Sequence, residues 1–367
     1  MKIIQLITSL GNGGAEKFVV ELSNELAKSN DVILCTFRDN QPWMIPPTKL
    51  SADVKLHSLS VRGGKNIQNI IKIFKLIKRE KPDVVHVHSS LIMYYLFFFL
   101  LIFKKTKFCY TIHSHSEFPS LISLFNFLNK FHLLVKSWTL IALSKSIKDD
   151  FEKKYPKLCF VYVENGIAPL ELSDKQLDIF AELKEISLKG AVLFLAIGNY
   201  TSAKRFDFLA EIFKDLFSTH NVRLLIIGKD VSKDKLIENK IISLDASNVS
   251  MLGIKTNIAD YLNLSDAFIC SSSIEGLPLV ILEALSLGKP IVTTPAGAIR
   301  EVVVNNENGF VAEDFSKEAL IEKIECFIQS SEDLKIKIGE NNVKKFNESF
   351  TISICAQKYL NIYNCFS

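Results

Sequence analysis

Residues 267–295 have the sequence AFICSSSIEGLPLVILEALSLGKPIVTTP and contain a clear strand–helix–strand pattern. The β-branched and aromatic run AFIC predicts a strand, and LVILEALSLG after the polar loop has the composition of a helix. The second apolar run, PIVTTP, predicts another strand. A strand, a helix and a strand in this order form the repeating unit of a parallel sheet covered by helices. The segment therefore predicts an α/β fold.

The same alternation extends towards both ends of the chain. A further helix is predicted through FLAEIFKDLF (208–217). Further strands are predicted at KIIQLIT (2–8), DVILCTF (31–37), VKLHSLS (54–60), DVVHVHS (83–89), KFCYTIHS (107–114), TLIALS (139–144), CFVYVEN (159–165), AVLFLAIG (191–198), VRLLIIG (222–228) and NVSMLG (248–253). Two such series in 367 residues predict two Rossmann-like domains.

Polar residues and a proline interrupt the apolar pattern at ENGIAPLELSD (164–174), which is typical of a join between domains. We expect a first domain over residues 1–168 and a second over 169–348. The tail, 349–367, is predicted to be helical. Its apolar residues are numerous enough for it to dock on another part of the protein: Tyr359, Leu360, Ile362 and Tyr363.

The net charge of +4 is too small to indicate a nucleic-acid partner, but the charge is unevenly distributed. Residues 1–168 contain 23 Lys and Arg against 13 Asp and Glu, whereas residues 169–367 contain 21 against 27. The basic first half suggests that it meets an anionic surface or substrate. Solvated lysines without a partner are the equally simple alternative.

The helix predicted near residues 65–81 would place isoleucines and a phenylalanine on one face and lysines largely on the other. Its apolar positions are Ile67, Ile70, Ile71, Phe74 and Ile77. The run LIMYYLFFFLLIF (91–103) has 13 residues, about 20 Å as a helix, which is too short to span a bilayer. A buried helix is the favoured interpretation. A face that dips into a membrane, flanked by Lys104, Lys105 and Lys107, is the alternative.

The seven cysteines are far apart and include no Cys-x-x-Cys pair, so the sequence suggests neither a disulfide framework nor a zinc site. The first residues, MKIIQLITSLGNGG, lack the long apolar region of a signal peptide. We therefore expect a cytoplasmic protein.

The loop between the strand and the helix of residues 267–295 carries the chemistry. Pro278 suits the first turn of a helix, so we predict that the helix begins near Leu277 or Pro278, after Gly276. Backbone N–H groups at a helix N-terminus bind phosphate. Glu275 precedes that point and Glu283 follows it, and carboxylates beside a phosphate suit sugar hydroxyls. The alternative for Glu283 is an ordinary surface position.

Residues 274–311, IEGLPLVILEALSLGKPIVTTPAGAIREVVVNNENGFV, resemble the Glu-x7-Glu region of glycosyltransferase family 4. The resemblance continues through GNGGAEKFV (11–19), PDVVHVHSS (82–90), YTIHSH (110–115), SKSIKDDF (144–151), VENGI (163–167), AIGNYTSAKRFDFL (196–209), LLIIGKD (224–230) and VSMLG (249–253). It implies the GT-B fold, in which two Rossmann-like domains face each other across a cleft and a C-terminal helix crosses back to the first.

The resemblance also implies roles for individual residues. It implies catalytic roles for His113 and Glu275, the latter at the donor sugar hydroxyls, while Glu283 would bind the ribose. The other residues that it implies for binding the nucleotide-sugar are Gly14, Asn199, Lys204, Arg205, Leu252, Gly276, Leu277, Pro278 and Leu279. Family members of this fold work without a bound metal, so no cofactor is expected, and a metal site at His113, His115 and Glu117 is disfavoured.

The sequence departs from the family at the loop after residue 198. The family often has an arginine where this chain has Asn199, and Arg205 is the candidate substitute beside Lys204. His86, His88 and His115 are less well placed than His113. Gly297 is expected to keep a backbone contact to the sugar or phosphate.

These features predict a retaining glycosyltransferase that moves a sugar from an NDP-sugar, with UDP the expected base, to a glycan or polyprenyl-linked acceptor in bacterial surface polysaccharide synthesis. The basic helix and the Phe-rich run suggest a peripheral position on an anionic inner membrane surface. Two alternatives stay open: a GT-B sugar-nucleotide epimerase, which needs no acceptor, and a non-catalytic protein that binds sugar nucleotides.

Overall fold

The computed structural model describes residues 1–11, 13–39, 49–60, 67–89, 92, 96, 99, 102–113, 138–156, 158, 160–174, 178–179, 181, 183 and 190–365. The chain divides into two compact units. The first consists of Met1–Ala168 together with Ser349–Ser367, and the second of Pro169–Glu348.

In the described part of the first unit, seven parallel strands form one sheet in the order β3-β2-β1-β4-β5-β6-β7. The strands are β1 (Lys2–Ile7), β2 (Asp31–Thr36), β3 (Val54–Ser58), β4 (Val84–Val87), β5 (Lys107–Ile112), β6 (Trp138–Ala142) and β7 (Phe160–Tyr162). The helices between them are α1 (Gly14–Ala27), α2 (Ile67–Glu80) and α3 (Lys145–Lys154). The central strands are buried along most of their length, as expected for a parallel sheet that helices cover on both faces.

Helix α2 is amphipathic, as predicted, but one of its predicted apolar positions lies outside the buried face. Its buried residues are Asn69, Ile73, Leu76 and Ile77, whereas Ile71 is 46% exposed. At about 100° per residue, Ile71 lies nearly opposite Ile73, so it cannot share the buried stripe. The predicted stripe is confirmed at Ile77, which is buried, and at Ile70 and Phe74, which pack against the core; it is wrong at Ile71.

The segment 91–103 lies largely outside the described residues. Ile92, Leu96 and Phe99 are buried in the core of the first unit, and Phe103 packs against that core. These four positions favour the interpretation of a buried segment. None of the helices in the described ranges combines the length and apolar character that a membrane span requires.

The second unit has a sheet of six described strands in the order β10-β9-β8-β11-β12-β13, all paired in parallel. The strands are β8 (Val192–Ile197), β9 (Val222–Ile227), β10 (Val249–Gly253), β11 (Ala267–Cys270), β12 (Ile291–Thr293) and β13 (Phe310–Val311). The helices are α4 (Phe206–Leu216), α5 (Leu236–Ser243), α6 (Ile258–Leu264), α7 (Leu279–Ser286), α8 (Ile299–Val302), α9 (Lys317–Gln329) and α10 (Glu332–Ser349). Two parallel sheets with intervening helices confirm the predicted α/β class.

The last helix, α11 (Ile352–Asn364), packs on the first unit. The backbone N–H of Ile352 donates to the carbonyl of Ile167 at 2.8 Å. Lys358 pairs with Glu164, the N–O distance being 2.5 Å. Gly166 lies close to α11. A Cβ at residue 166 would be 2.6 Å from the Cβ of Cys355, so only glycine fits.

Candidate functional site

The sheet order of the second unit marks where a ligand would bind. Strand β8 is followed along the chain by β9 on one side, while β11, on its other side, comes later. At such a reversal the loops after the two strands diverge, and ligands of open α/β sheets bind at the carboxyl ends there. The loops that follow β8 and β11 contain Lys204 and Glu275.

These two loops are joined by hydrogen bonds. The hydroxyl of Ser271 donates to the carbonyl of Lys204 at 2.8 Å, and the N–H of Ser273 donates to the carbonyl of Ala203 at 2.8 Å. The Lys204 ammonium then reaches the Glu275 carboxylate, with 2.6 Å between Nζ and Oε1. The ion pair is mostly buried, with side-chain exposures of 22% and 13%.

The Lys204 ammonium is charged at neutral pH. Burial opposes the charged form of Lys204, but the attraction of the Glu275 carboxylate outweighs it, and the pKa of Lys204 is raised above its ordinary value. Because buried ion pairs gain little net stability over apolar packing, the pair is better explained by what it can bind than by what it stabilises.

Helix α7 begins beside this pair. Its first helical residue is Leu279, and Pro278 is the N-cap with extended backbone, so the helix starts one or two residues later than predicted. The cause is the backbone of Pro278, whose ψ of 134° is not helical. Geometry leaves the N–H groups of Leu279 and Val280, in the first turn, without partners inside the helix. Such N–H groups are suited to an anion.

A third loop, after β12, holds the start of α7 in place. The N–H of Ala298 donates to the carbonyl of Gly276 at 3.1 Å. Gly297 has a φ of +53°, and a Cβ there would be 2.0 Å from the carbonyl oxygen of Glu275. Gly297 therefore supports the Glu275 loop, a role that the sequence analysis did not assign to it.

The remaining predicted residues of this unit differ in their burial. Glu283 is 5% exposed and lies on α7, so it is not an ordinary surface position. Leu277 and Leu279 are buried, Leu252 is half-buried at the end of β10, and Asn199 is exposed after β8.

Arg205 does not join Lys204 and Glu275. Its guanidinium stacks 3.7 Å from the centre of the Phe208 ring and donates to the carbonyl of Phe315 at 3.1 Å. The backbone of Arg205 is left-handed, with φ of +56°, and the side chains of consecutive residues diverge there. The expectation that Arg205 takes the place of the missing arginine is therefore not met by these contacts.

The first unit has its own reversal, between β1 and β4. The glycine loop that leads to Gly14 follows β1, and His88 follows β4. The carboxylate of Glu16 lies against Gly11 and Gly13, and its burial raises its pKa. Asn12 lies outside the described residues.

His113, directly after β5, belongs to a buried polar network at this edge. His113 Nε2 is 3.1 Å from His88 Nδ1, and His88 Nε2 is 2.7 Å from Gln5 Oε1. His86 bonds to the hydroxyls of Tyr363 and Thr111, each at 2.7 Å. Thr111 also bonds to the hydroxyl of Tyr359 at 3.2 Å, so α11 closes the network.

Burial keeps the three histidines neutral. It lowers the pKa of His113 to about 4, and it lowers the pKa values of His86 and His88 well below their ordinary range. Neighbouring imidazoles lower the pKa values of His86 and His88 further.

On the sequence, His86 and His88 were ranked behind His113, and Gln5 was not named. A signal was present: each is a polar residue within a strand that is otherwise apolar, KIIQLI or VVHV with the residue after it. In a strand with both faces covered, a polar side chain is buried, and buried polar groups are hydrogen-bonded.

His115 and Glu117 lie outside the described residues. Within the described ranges, no group of three or more His, Cys, Asp or Glu side chains is arranged to hold a metal ion.

Two family models match the chain and together span most of it. Residues 12–169 match the model described as Glycosyltransferase Family 4, and residues 180–345 match Glycosyl transferases group 1.

Curated relatives of the chain are described as glycosyltransferases. An uncharacterized glycosyltransferase of Haemophilus influenzae is 25% identical over 338 residues, 90% of this chain and 91% of the relative. The capsular polysaccharide biosynthesis glycosyltransferase CapM of Staphylococcus aureus is 30% identical over 172 residues, 46% of this chain and 45% of the relative.

Solved structures share the fold. A glycosyltransferase from Rickettsia africae ESF-5 superposes with a TM-score of 0.84, at 23% identity, over 99% of this chain and 97% of its own. Anabaena HepE in complex with UDP and glucose has a TM-score of 0.79 at 18% identity, over 99% of each chain. The fold and these matches define a GT-B glycosyltransferase. The chain belongs to glycosyltransferase family 4.

Proposed function

We propose that this glycosyltransferase moves a sugar from a UDP-sugar to a hydroxyl of a glycan or lipid-linked glycan, with retention of configuration. The observation that carries the proposal is the buried Lys204–Glu275 pair beside the amino end of α7. A cation next to free backbone N–H groups suits a diphosphate, and an adjacent carboxylate suits sugar hydroxyls.

In this proposal the second unit binds the donor. An ammonium has three N–H donors, so Lys204 can hold Glu275 and a phosphate oxygen at the same time. The N–H groups of Leu279 and Val280 bind the diphosphate, Glu283 binds the ribose hydroxyls, and Glu275 binds the sugar hydroxyls. The backbone before α7 is formed by Gly276, Leu277 and Pro278. The nucleotide is bordered by Leu252 and Asn199.

The transfer itself breaks one bond and forms one. The bond from the anomeric carbon to the diphosphate oxygen breaks, and the acceptor oxygen bonds to the same face of that carbon. The acceptor proton passes to the departing phosphate oxygen. Lys204 and the helix end stabilise the charge that develops on the diphosphate. The first unit, with the loop at Gly14, binds the acceptor, and His113 contacts the donor sugar.

Lys204 supplies positive charge where a divalent metal would otherwise be required, so we propose that transfer is metal-independent. Incubation with excess EDTA should leave the rate within about twofold, since a twofold change is only about 0.4 kcal/mol. A loss of activity that Mg²⁺ or Mn²⁺ restores would contradict this part of the proposal.

The relatives support the choice of donor and acceptor. The Anabaena protein was solved with UDP and glucose, and the Staphylococcus aureus relative is described in capsular polysaccharide biosynthesis. Both descriptions fit a nucleotide-sugar donor and a surface-glycan acceptor.

Binding of UDP and of a panel of NDP-sugars, measured by thermal shift and calorimetry, tests the donor site. A ligand that binds only the folded protein raises its melting temperature. Glu283→Ala and Glu275→Gln should each weaken UDP-sugar binding by about tenfold or more, the loss of one charge-assisted hydrogen bond. Glu332→Ala is the matched control, because Glu332 forms an exposed pair with Lys335.

If Glu283→Ala transfers sugar at the wild-type rate with every accepted donor, the assignment of the ribose site is wrong. The anomeric configuration of the first product, read by proton NMR, tests retention. An inverted product would exclude the front-face mechanism.

We also propose that the protein acts at an anionic membrane surface. Helix α2 exposes Lys72, Lys75 and Lys78. Lysines on one exposed face are attracted to anionic lipid by about 1 kcal/mol each. The protein should float with anionic liposomes at low salt, and Lys75→Glu with Lys78→Glu should weaken this. Equal behaviour with neutral and anionic vesicles would remove the membrane proposal.

A further inference from the structure

The hydrogen bonds of the histidine network in the first unit run in one direction from donor to acceptor. This direction determines which nitrogen of His113 carries the proton. Gln5 Oε1 is a carbonyl oxygen and can only accept a hydrogen bond. It lies 2.7 Å from Nε2 of His88, so the proton of His88 is on Nε2. Gln5 Nε2 faces the hydroxyl oxygen of Tyr363 at 3.4 Å and can donate to it.

The second nitrogen of His88 follows from the first. A neutral imidazole has one donor and one acceptor nitrogen, so Nδ1 of His88 carries a lone pair. His113 Nε2 lies 3.1 Å from that atom and must donate to it. The proton of His113 is therefore on Nε2, and its Nδ1 is an acceptor.

We infer that Gln5 and His88 are positioning residues that hold His113 in the tautomer with its proton on Nε2. His88 and Gln5 are buried, and the Phe18 ring packs edge-on against both His88 and His113. These contacts restrict rotation of both imidazoles. The tautomer of His113 is thus set through two other side chains, that of Gln5 on β1 and that of His88 directly after β4.

This inference gives the proposed role of His113 a definite form, and in that respect it rests on the proposed function. With Nδ1 an acceptor, His113 can receive a hydrogen bond from a hydroxyl of the donor sugar. It cannot donate a proton to the substrate from that atom. His113 then orients the sugar and does not act as a general acid.

Long-range proton–nitrogen NMR correlation of histidine-labelled protein tests the tautomer directly. The protonated nitrogen of a neutral imidazole resonates far upfield of the unprotonated one, and His113→Asn identifies the signals of His113. A proton on Nε2 is the expected result. A proton on Nδ1 would mean that the whole chain of bonds runs in the opposite direction, and the inference would be overturned. No substrate is needed for this measurement.

Variants of the two positioning residues test their effect. Gln5→Leu leaves all histidines in place but removes the acceptor, so His113 should show both tautomers in exchange. His88→Leu should do the same, whereas His88→Asn should retain the Nε2 proton because its amide oxygen can replace Nδ1. Tyr359→Phe is the matched control: it removes a buried hydroxyl from the network but not from the path through Gln5 and His88.

Kinetics complete the test. We expect Gln5→Leu and His88→Leu to lower kcat by about fivefold to tenfold, and His88→Asn to recover most of it. Variants that exchange tautomers and keep full kcat would show that the tautomer does not position anything for transfer. Complete absence of transfer by the wild-type protein, with the expected NMR result, would instead reject the proposed function and leave the tautomer assignment standing.

Discussion

Lys204 and Arg205 carry the same charge but have different partners. The ammonium of Lys204 is paired with Glu275, whereas the guanidinium of Arg205 is held by Phe208 and the carbonyl of Phe315. Lys204→Ala should therefore weaken UDP binding at least tenfold, about 1.4 kcal/mol. Arg205→Ala should change it by less than about threefold, and calorimetry measures both.

Removal of Lys204 also leaves a buried carboxylate without its cation, so Lys204→Ala will lose stability as well as affinity. Lys240→Ala serves as the control in the same unit, because Lys240 pairs with Asp207 through a side chain that is 67% exposed. Equal losses of affinity for Lys204→Ala and Arg205→Ala would contradict the division of roles between them.

Ionisation of the Glu16 carboxylate costs folding stability. Burial raises its pKa, so the folded chain prefers the protonated form more than the unfolded chain does. Above that pKa the ionised carboxylate reduces stability, and the reduction disappears as the pH falls. Glu16→Gln should then raise the urea midpoint of the first unit at about pH 7.5. A lower midpoint for this variant would show that the carboxylate is stabilising.

The contact between α11 and the segment before Pro169 is a close backbone approach. A methyl group at residue 166 would meet the Cβ of Cys355 at 2.6 Å and the carbonyl oxygen of Thr351 at 2.7 Å. Because one of these atoms belongs to the backbone, relief requires α11 to move. Gly166→Ala should cost about 2–3 kcal/mol of unfolding free energy, the upper part of the range for overpacked sites.

Tryptophan fluorescence in urea measures this cost in the first unit alone, because both tryptophans of the chain, Trp43 and Trp138, precede residue 169. Ser353→Ala is the control at the same helix, since it removes only a hydrogen bond to Glu25 and should cost less than about 1 kcal/mol. An unchanged midpoint for Gly166→Ala would mean that α11 is not held where the structure places it.

At the scale of elements, the strands were predicted well and several helices were not. Apolar runs such as VILCT and LLII mark strands because both faces of a parallel sheet are covered. Helix α5 was not predicted because most of its residues are exposed. Two of its apolar residues, Leu236 and Ile242, are themselves exposed, so the helix has no clear apolar stripe. Strand β13 has two residues, too few for a pattern.

The site was predicted by residue type but not by geometry. The family resemblance identified Lys204 and Glu275, yet their pairing depends on bonds between loops almost 70 residues apart in sequence, such as Ser271 to the carbonyl of Lys204. No local pattern encodes such a contact, because it exists only once β8 and β11 are neighbours in the sheet.

For the whole molecule, the buried histidines predict an acid sensitivity confined to the first unit. His86, His88 and His113 are kept neutral by burial, with the pKa of His113 lowered to about 4 against 6.5 for an ordinary histidine. Between these pH values the unfolded chain binds more protons than the folded one, so stability rises with pH and falls on acidification. One histidine contributes up to about 1.4 kcal/mol per pH unit.

The pH range of the stability change separates the effect of the histidines from that of the carboxylates. A carboxylate with a lowered pKa, such as Glu80 beside Lys2, loses its contribution only below its ordinary pKa of 4.5. Between about pH 5 and pH 6.5 a stability that rises with pH therefore belongs to the histidines, because Glu16, whose pKa is raised by burial, contributes a slope of the opposite sign. Urea unfolding followed by tryptophan fluorescence should show a slope of at least about 1.4 kcal/mol per pH unit, and His86→Gln should reduce it by up to that amount. A flat dependence across the window would mean that the network accepts protons without unfolding, and the three imidazoles could not then be buried and neutral as their contacts require.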